Sequence, residues 1–341
     1  MVRYSYTGTG YRDWENRPLP LPGDFMLSLF RSMLRIRIIE EEIERRYHED
    51  QMKTPIHLVI GQEATNVGSC AALTTEDLVY CGHRTHGAYL AKGGDLKAML
   101  CEMHCRINGC AGSRGGSMHL IDKRVGMAGT SAIVGGSVPI AAGAALAQQM
   151  RGSDRVTTVF IGDATTEEGV VSETLNFAAL KKLPLVFFCE NNFYSVQSPL
   201  STRQPERDIH RWAQSYGMQS VLVDGTNVLA VHDAVRTAVE RARAGLGPSF
   251  IEARVYRFRA HGGAGDDSKT GYRDIAEREQ WEAVCPITGF FGYLSGKGII
   301  DTTMRQTMER ESLAEVNAAF EYALASPNPE ERDLYTHVYS N

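Results

Sequence analysis

Residues 156–194 read VTTVFIGDATTEEGVVSETLNFAALKKLPLVFFCENNFY, and this stretch decides the fold. Residues 156–161 form a short apolar run rich in β-branched side chains, and residues 185–189 form a second apolar run. Between them, residues 167–182 show the spacing of a helix. A strand, a helix and a strand at this separation predict two parallel strands joined by a crossover helix.

The same alternation continues along the rest of the chain. Further strands are predicted at 220–223 and 250–258. Further helices are predicted at 24–51, with Asp24 as its N-cap, and at 207–216, 232–244 and 303–326. We therefore predict an α/β fold with a central, mostly parallel sheet and helices on both faces. The predicted organisation is an N-terminal arm (1–23), a single domain (24–330) and a C-terminal tail (331–341).

Composition and charge exclude several classes of protein. The 341 residues carry a net charge of −5, which argues against a nucleic-acid-binding surface. The seven cysteines are odd in number and include no Cys-x-x-Cys pair, as expected of reduced thiols in a cytoplasm. The N-terminal residues contain no signal-peptide core, and the apolar stretch 132–150 is better explained as a buried helix than as a membrane span. We expect a cytoplasmic protein that binds neither nucleic acid nor membrane.

Two of the predicted strands end in polar residues. Asp163 follows the first strand, and Asn192, 29 residues later, follows the second. That separation equals about one crossover, so the two residues are expected at adjacent strand ends, where open parallel sheets bind ligands. Carboxylate and amide oxygens suit Mg²⁺, and a helix beginning after Asp163 could hold a phosphate oxygen. The alternative is that Asp163 is only an N-cap and Asn192 only a turn residue.

The stretch 161–194 resembles the thiamine-diphosphate motif of the α subunits of 2-oxo acid dehydrogenase E1 components, a group that includes pyruvate, branched-chain and acetoin dehydrogenases. That motif begins with Gly-Asp-Gly and ends in Asn-Asn. The resemblance extends over roughly residues 25–325. It includes HLVIGQEA at 57–64, HRTHG at 83–87, GGSMHL at 115–120, SAIVGGSVPIAAGAALA at 131–147 and YRFRAHGGAGDDSKTGYR at 256–273.

The resemblance implies a thiamine-diphosphate-binding fold and a set of cofactor contacts. Mg²⁺ would be held by Asp163, the side chain of Asn192 and the backbone carbonyl of Tyr194. Arg84 would bind a diphosphate oxygen, where a guanidinium fork suits the geometry. The other implied cofactor contacts are His83, Ala132, Val134, Gly162, Ala164, Thr165 and His261, of which Ala132 and Val134 would face the aminopyrimidine ring.

Three histidines, His57, His86 and His261, are candidate catalytic residues. Members of the resembled family use histidines at the positions of His57 and His261 to steady a substrate carboxylate, an oxyanion or an acyl group. A histidine can donate a hydrogen bond and titrate near neutral pH. The alternative for His57 is a half-buried core histidine. His83 and His86 have His-x-x-His spacing but are not expected to bind zinc, because no matching Cys or His pair follows at metal-site spacing.

At four positions the chain departs from the resembled pattern, one of which is Ser195, where glycine or alanine is common. Ala164 replaces the second glycine of the motif, which is harmless only if its backbone is helical. His83 replaces a tyrosine that usually contributes to phosphate binding. Gly262 stands after His261, where mitochondrial relatives carry a phosphorylatable serine, so control by a kinase at that position is not expected. These departures leave the substrate open.

The resemblance also implies partners and an activity. The chain would form an α₂β₂ heterotetramer with an E1 β subunit, decarboxylate a 2-oxo acid and pass the acyl group to a lipoyl E2 protein. The small-residue helix at 135–147 would suit a close contact near a symmetry axis, although an intrachain contact would give the same sequence. Two alternatives remain: an enzyme that cleaves acetoin or transfers an acyl group without a lipoyl partner, and a scaffold that has lost the cofactor.

Overall fold

One parallel sheet organises the computed structural model, which describes residues 8, 10, 11, 21–205 and 208–339. Its strands are β1 (Leu78–Cys81), β2 (Met127–Thr130), β3 (Thr157–Gly162), β4 (Leu185–Asn191), β7 (Gln219–Asp224) and β8 (Ser249–Arg254). They lie in the order β2-β1-β3-β4-β8-β7, and every neighbouring pair is parallel. A separate antiparallel pair joins β5 (Tyr194–Ser195) to β6 (Ser198–Pro199).

Strands β3 and β4 form the centre of the sheet. They pair directly, with Thr157 opposite Leu185 and Gly162 opposite Glu190. All seven positions of β4 are buried. Since successive side chains of a strand point to opposite faces, continuous burial means that both faces of the sheet are covered. The predicted α/β architecture is thereby confirmed.

Helices cover the sheet and close the ends of the domain. They are α1 (Gly23–Tyr47), α2 (Glu63–Ala71), α3 (His86–Ala91), α4 (Leu96–Met103), α5 (Ser137–Met150), α6 (Gly169–Lys181), α7 (Leu200–Arg203), α8 (Ile209–Gln214), α9 (Val228–Arg243), α10 (Ile275–Glu282), α11 (Pro286–Gly296) and α12 (Thr302–Ala325). Helix α5 packs against β1 and β3, whereas α9 packs against β4, β7 and β8. Helix α12 packs on α1 and α4, so the two ends of the domain support each other.

Several details differ from the sequence predictions. The assignment of Asp24 as an N-cap is wrong, because α1 begins at Gly23 with Pro22 at the cap. Asp24 instead lies in the first turn, where its negative charge interacts favourably with the positive end of the helix dipole. Strands β1 and β2 were not predicted, and β8 ends at Arg254, since the backbone N–H of Phe258 bonds to Ile60 rather than to the sheet.

The predicted arm is only partly within the described residues. The backbone N–H of Gly10 donates to a carboxylate oxygen of Asp224 at 3.1 Å. The ring of Tyr11 is buried and stacks on Phe290 with 5.2 Å between centroids. This part of the arm therefore packs on the domain. Residues 1–7, 9 and 12–20 of the predicted arm lie outside the described part of the chain. The domain boundaries stay predictions.

The apolar stretch 132–150 contains helix α5, which is buried on one side only. Val138, Ala141 and Ala145 are buried, whereas Ile140 and Met150 are 60% and 79% exposed. The expected helix is therefore present, and it is buried on the side that faces the sheet. Among the residues that the structure describes, no helix has both the length and the apolar character needed to cross a bilayer.

Candidate functional site

A cavity of about 360 Å³ lies where the carboxyl ends of β1, β3 and β4 meet. This is the position at which parallel α/β sheets bind ligands. Almost all of the predicted site residues line it, although they come from distant parts of the chain. They are His57, His83, Arg84, Ala132, Val134, Gly162, Asp163, Ala164, Thr165, Asn192, Tyr194 and His261.

After β3 the chain forms a short 3₁₀ turn, Asp163–Glu167, before α6 begins. Ala164 lies inside this turn and does not have a positive φ. Alanine is therefore unstrained at the position of the motif's second glycine, as expected for helical backbone. The hydroxyl of Thr165 accepts a hydrogen bond from the backbone N–H of Gly162 at 3.2 Å. The first N–H groups of such a turn have no partner within it, which suits an anion.

Asp163 is 1% exposed and carries a counter-charge. Its carboxylate pairs with the guanidinium of Arg203, which also pairs with Glu167. Burial raises the pKa of Asp163, and the neighbouring Arg203 opposes that shift. A carboxylate in this position requires a cation beside it, because a buried unpaired charge is costly. Arg203, which the sequence did not single out, supplies that positive charge from the end of α7.

A tight turn after β4 presents the second pair of candidate ligands. Asn191 accepts a hydrogen bond from the backbone N–H of Phe193 at 3.1 Å, and Phe193 has a φ of 69°. The Asn192 amide donates to Gln62 at 3.1 Å, and its oxygen accepts from the N–H of Tyr194 at 3.3 Å. Because β3 and β4 are neighbours, the turn brings Asn192 and Tyr194 into the same cavity wall as Asp163. The predicted adjacency of the two strand ends is confirmed.

Glu190, at the end of β4, is a cavity residue that the sequence did not reveal. Its carboxyl accepts hydrogen bonds from the Thr65 hydroxyl and from the Asn66 amide, the latter at 3.1 Å. Burial raises the pKa of Glu190 to about 7, although these hydrogen bonds and Arg84 act in the opposite direction. The sequence shows an acid at the strand end, but it does not show that α2 covers that acid.

Three imidazoles from distant segments meet on one wall of the cavity. The ring centroids lie 4.7 Å apart for His57 and His83, 5.1 Å for His57 and His261, and 5.2 Å for His83 and His261. Burial first, and Arg84 second, lower the pKa of His57 to about 2, of His83 to about 4 and of His261 to about 3. All three are therefore neutral at pH 7, each with one N–H donor and one nitrogen lone pair.

Arg84 joins the loops that carry these histidines. Its guanidinium donates to the backbone carbonyl of Leu58 and, at 3.1 Å, to that of His261. Burial lowers the pKa of Arg84 to about 10, so it remains a cation at pH 7. A guanidinium has five N–H donors, so these two bonds leave donors for an anion in the cavity.

Part of the cavity lining is apolar. Ala132 and Val134 contribute to it together with Met118. Gly135 has a φ of 81°, and a Cβ there would lie 3.1 Å from the Cβ of Glu168. The glycine therefore lets the loop before α5 approach Glu168 closely. The contact of Ala132 and Val134 with a heteroaromatic ring stays a prediction.

His86 is the one predicted site residue that lies outside the cavity wall. It is fully buried, and its two ring nitrogens lie 2.7 Å from a carboxylate oxygen of Glu40 and 2.7 Å from the hydroxyl of Ser117. The side chain thus joins α1 to the loop before Met118. The prediction of a catalytic role for His86 is corrected to a positioning role, because both nitrogens are engaged away from the cavity.

The fold and the site together define a class of protein. Parallel strands place a carboxylate and an amide at adjacent strand ends, beside a turn whose N–H groups suit an anion. This is the arrangement of an α/β protein that binds a phosphorylated ligand at the carboxyl edge of its sheet. The sequence profile of the dehydrogenase E1 component family matches residues 31–332, and the chain therefore belongs to that family.

Individual relatives agree with this assignment. The chain is 36% identical over 322 residues to the alpha subunit of acetoin:2,6-dichlorophenolindophenol oxidoreductase from Bacillus subtilis, covering 94% of this chain and 95% of the relative. It is 34% identical over 326 residues to the subunit of the same name from Cupriavidus necator, covering 95% and 97%. It is also 34% identical over 312 residues to the pyruvate dehydrogenase E1 component subunit alpha of Rhizobium meliloti, covering 92% and 89%.

The chain is accordingly an α-type E1 component, the subunit of an oxidoreductase, as the resemblance implied. The family implies thiamine diphosphate as the cofactor. E1 α subunits normally pair with a β subunit. These relatives are named for two different substrates, acetoin and pyruvate.

Proposed function

We propose that this chain is the α subunit of an E1 enzyme that decarboxylates a 2-oxo acid and passes the acyl group to a lipoyl E2 protein. The proposal depends on one observation: Asp163 and Asn192 follow hydrogen-bonded neighbouring strands and line one cavity. Oxygen ligands from these two strand ends fit a Mg²⁺ ion that also holds a diphosphate.

The residues at the strand ends fit the phosphate end of thiamine diphosphate. Mg²⁺ would be held by the Asp163 carboxylate, the Asn192 amide oxygen and the Tyr194 carbonyl, with Arg203 as a second cation beside Asp163. Ala164 and Thr165 would direct N–H groups to the diphosphate. When bound, thiamine diphosphate supplies the carbon nucleophile and electron sink that decarboxylation needs.

The histidine wall would handle the substrate. His57 and His261 are neutral at pH 7, so each can donate one N–H to a carboxylate or a developing oxyanion. Arg84 beside them remains a cation at pH 7 and is the predicted partner of a diphosphate oxygen, so the two histidines would supply the donors for the substrate. Because these groups are largely buried, their hydrogen bonds meet little competition from water.

An exposed apolar surface supports the proposed α₂β₂ assembly. Ile140 and Met150 of α5 and Leu180 of α6 are each at least 60% exposed, and α5 and α6 pack side by side. Such a surface on a folded chain marks a contact with another protein. We assign it to the interface between subunits, which also gives the small residues of α5 a function.

Acetoin cleavage is a second candidate function. Its support is that two relatives with 34% and 36% identity are named as subunits of acetoin:2,6-dichlorophenolindophenol oxidoreductases. Acetoin carries no carboxylate, so it would use the hydrogen-bond donors of His57 and His261 less fully than a 2-oxo acid would. This difference favours the 2-oxo acid.

A cytoplasmic location stays a prediction. It is supported by the cysteines, because all seven are free thiols. Free thiols are typical of a reducing compartment.

One reconstitution experiment tests the proposed function. The chain would be co-expressed with its β subunit and assayed with thiamine diphosphate, Mg²⁺ and an artificial electron acceptor. Turnover of pyruvate or a branched 2-oxo acid, and not of acetoin, is the expected result. Turnover of acetoin alone would favour the second candidate, and absence of cofactor binding at millimolar concentration would favour a scaffold.

A further inference from the structure

We propose that His57, His83 and His261 form a binding site for a borderline transition-metal ion such as Zn²⁺, separate from the predicted Mg²⁺ site. Each histidine offers one ring nitrogen, and these three nitrogens all lie within 4.8 Å of one another. Three imidazole ligands with an open fourth position are a known arrangement of reactive zinc sites.

The geometry needs only a modest closure around an ion. Zn–N bonds of about 2.0–2.1 Å in a tetrahedral site place the nitrogens about 3.3 Å apart. The three nitrogens would therefore draw together by at most about 1.5 Å, a movement within reach of side-chain rotation. His261 is also carried on a glycine-rich loop, in which a Cβ at Gly263 or Gly265 would meet no atom within 4 Å. That loop has space in which to adjust.

Two positions that depart from the resembled family create the site. His83 supplies an imidazole where a tyrosine is usual. Gly262 leaves the space beside His57 open, because a Cβ at Gly262 would lie 3.2 Å from Nε2 of His57. Members of the resembled family also use histidines at the positions of His57 and His261, and His83 adds the third ligand, which is particular to this chain.

The charge state of the three rings suits a metal. Metal binding requires neutral imidazole, and burial keeps all three histidines neutral at pH 7. In addition, Nδ1 of His57 is buried and has no hydrogen-bond partner among the described residues. A bound ion would provide a partner for one such ring.

The surrounding charges are mixed. Arg84 acts on His57 and His261 and opposes a cation, and Arg257 does the same at His261, whereas Asp267 acts in the favourable direction. The ligand chemistry decides against Mg²⁺ here, because Mg²⁺ prefers oxygen ligands and imidazole suits Zn²⁺, Co²⁺, Ni²⁺ or Cu²⁺. All three histidines line the cavity, from which water or an anion could complete the coordination.

A Co²⁺ titration of the purified chain tests this site, with Zn²⁺ as the competitor and without Mg²⁺ or thiamine diphosphate. We expect one Co²⁺ per chain, with visible absorption bands of a tetrahedral nitrogen site and no near-ultraviolet thiolate band, and we expect Zn²⁺ to displace it. His83→Tyr, the residue usual in the family, should weaken binding by more than about 10-fold, since even changes outside the ligand set cost 10- to 100-fold. His261→Asn should have the same effect.

His48→Gln is the matched control, because His48 is exposed at the end of α1 and should leave binding unchanged. Circular dichroism would show that each variant is folded. Unchanged Co²⁺ affinity in folded His83→Tyr would overturn the proposal, as would a thiolate band, which would place the ion on a cysteine. Because the titration contains no thiamine diphosphate, its failure would leave the proposed function intact.

Discussion

The two walls of the cavity differ in chemistry although they lie on one site. The strand-end wall offers oxygen atoms, and its buried Asp163 carboxylate is balanced by Arg203. The other wall offers nitrogen atoms from three neutral histidines beside Arg84, for example His57, whose pKa is lowered to about 2. The charge and the ligand atoms of each wall together determine which ion it suits: the acidic wall suits Mg²⁺, and the imidazole wall suits a softer ion.

The largest effect on cofactor binding is expected from Asp163→Asn, which keeps the size of the side chain and removes its charge. Mg²⁺-dependent affinity for thiamine diphosphate in the αβ complex should fall by at least about 100-fold, or about 2.8 kcal/mol. Calorimetry would measure the loss, with the exposed Asp233→Asn as the control. Co²⁺ binding at the histidine wall should not change. Equal cofactor affinity in Asp163→Asn and the parent chain would refute the role of Asp163.

Arg203→Met tests the charge balance of the acidic wall. It leaves Asp163 buried without a counter-charge, and removing one partner of a buried ion pair costs about 3–5 kcal/mol. The free energy of unfolding should fall by about that amount without metal, and Mg²⁺ should restore part of it. Urea unfolding with and without Mg²⁺ measures both terms, and Arg236→Met removes an exposed pair as the control. A variant that gains no more from Mg²⁺ than the parent chain does would contradict this account.

Gly262→Ser tests the imidazole wall. The added Cβ would lie 3.2 Å from Nε2 of His57, and crowding of this kind costs about 1 kcal/mol or more, so Co²⁺ affinity should fall roughly fivefold. Mg²⁺-dependent cofactor affinity should change less, which gives the experiment an internal reference. Tighter Co²⁺ binding in the serine variant would show that Gly262 does not provide the space proposed here.

The smallest effect is expected from Ala164→Gly, which restores the glycine usual in the motif. Ala164 is in helical backbone, so the glycine relieves no strain and should lower the free energy of unfolding by about 1 kcal/mol or less. Cofactor affinity should stay within about fivefold of the parent value. A tenfold gain in affinity would instead show that the alanine methyl group hinders the diphosphate.

The sheet was predictable where local pattern and tertiary structure agree. Strands β3 and β4 are continuous apolar runs, and the helix between them has a clear period. Strand β2 was not predictable, because Met-Ala-Gly-Thr has no alternation, and its pairing with β1 holds it in the sheet. The N-cap assignment of Asp24 failed by two residues, since α1 begins at Gly23 with Pro22 at the cap.

The site, like the sheet, was predictable only where local sequence determines the structure. Asp163 and Asn192 belong to one strand–helix–strand unit, so their separation alone predicted their adjacency. The histidine cluster joins three segments that meet only in the folded chain, so the spacing rule, which argued against His83 as a zinc ligand, could not show that the three rings lie together. His86 lies two residues after Arg84 in sequence, but the start of α3 turns it into the core towards Glu40. Neither the histidine cluster nor the burial of His86 could be predicted from local spacing.

The most direct test is anomalous diffraction from crystals of the αβ complex grown with Mn²⁺ and thiamine diphosphate, since Mn²⁺ accepts the same oxygen ligands as Mg²⁺. We predict one Mn²⁺ peak about 2 Å from both a carboxylate oxygen of Asp163 and the amide oxygen of Asn192, in contact with the diphosphate. A cofactor bound with its ion elsewhere, or a peak that touches only one of these residues, would contradict the account.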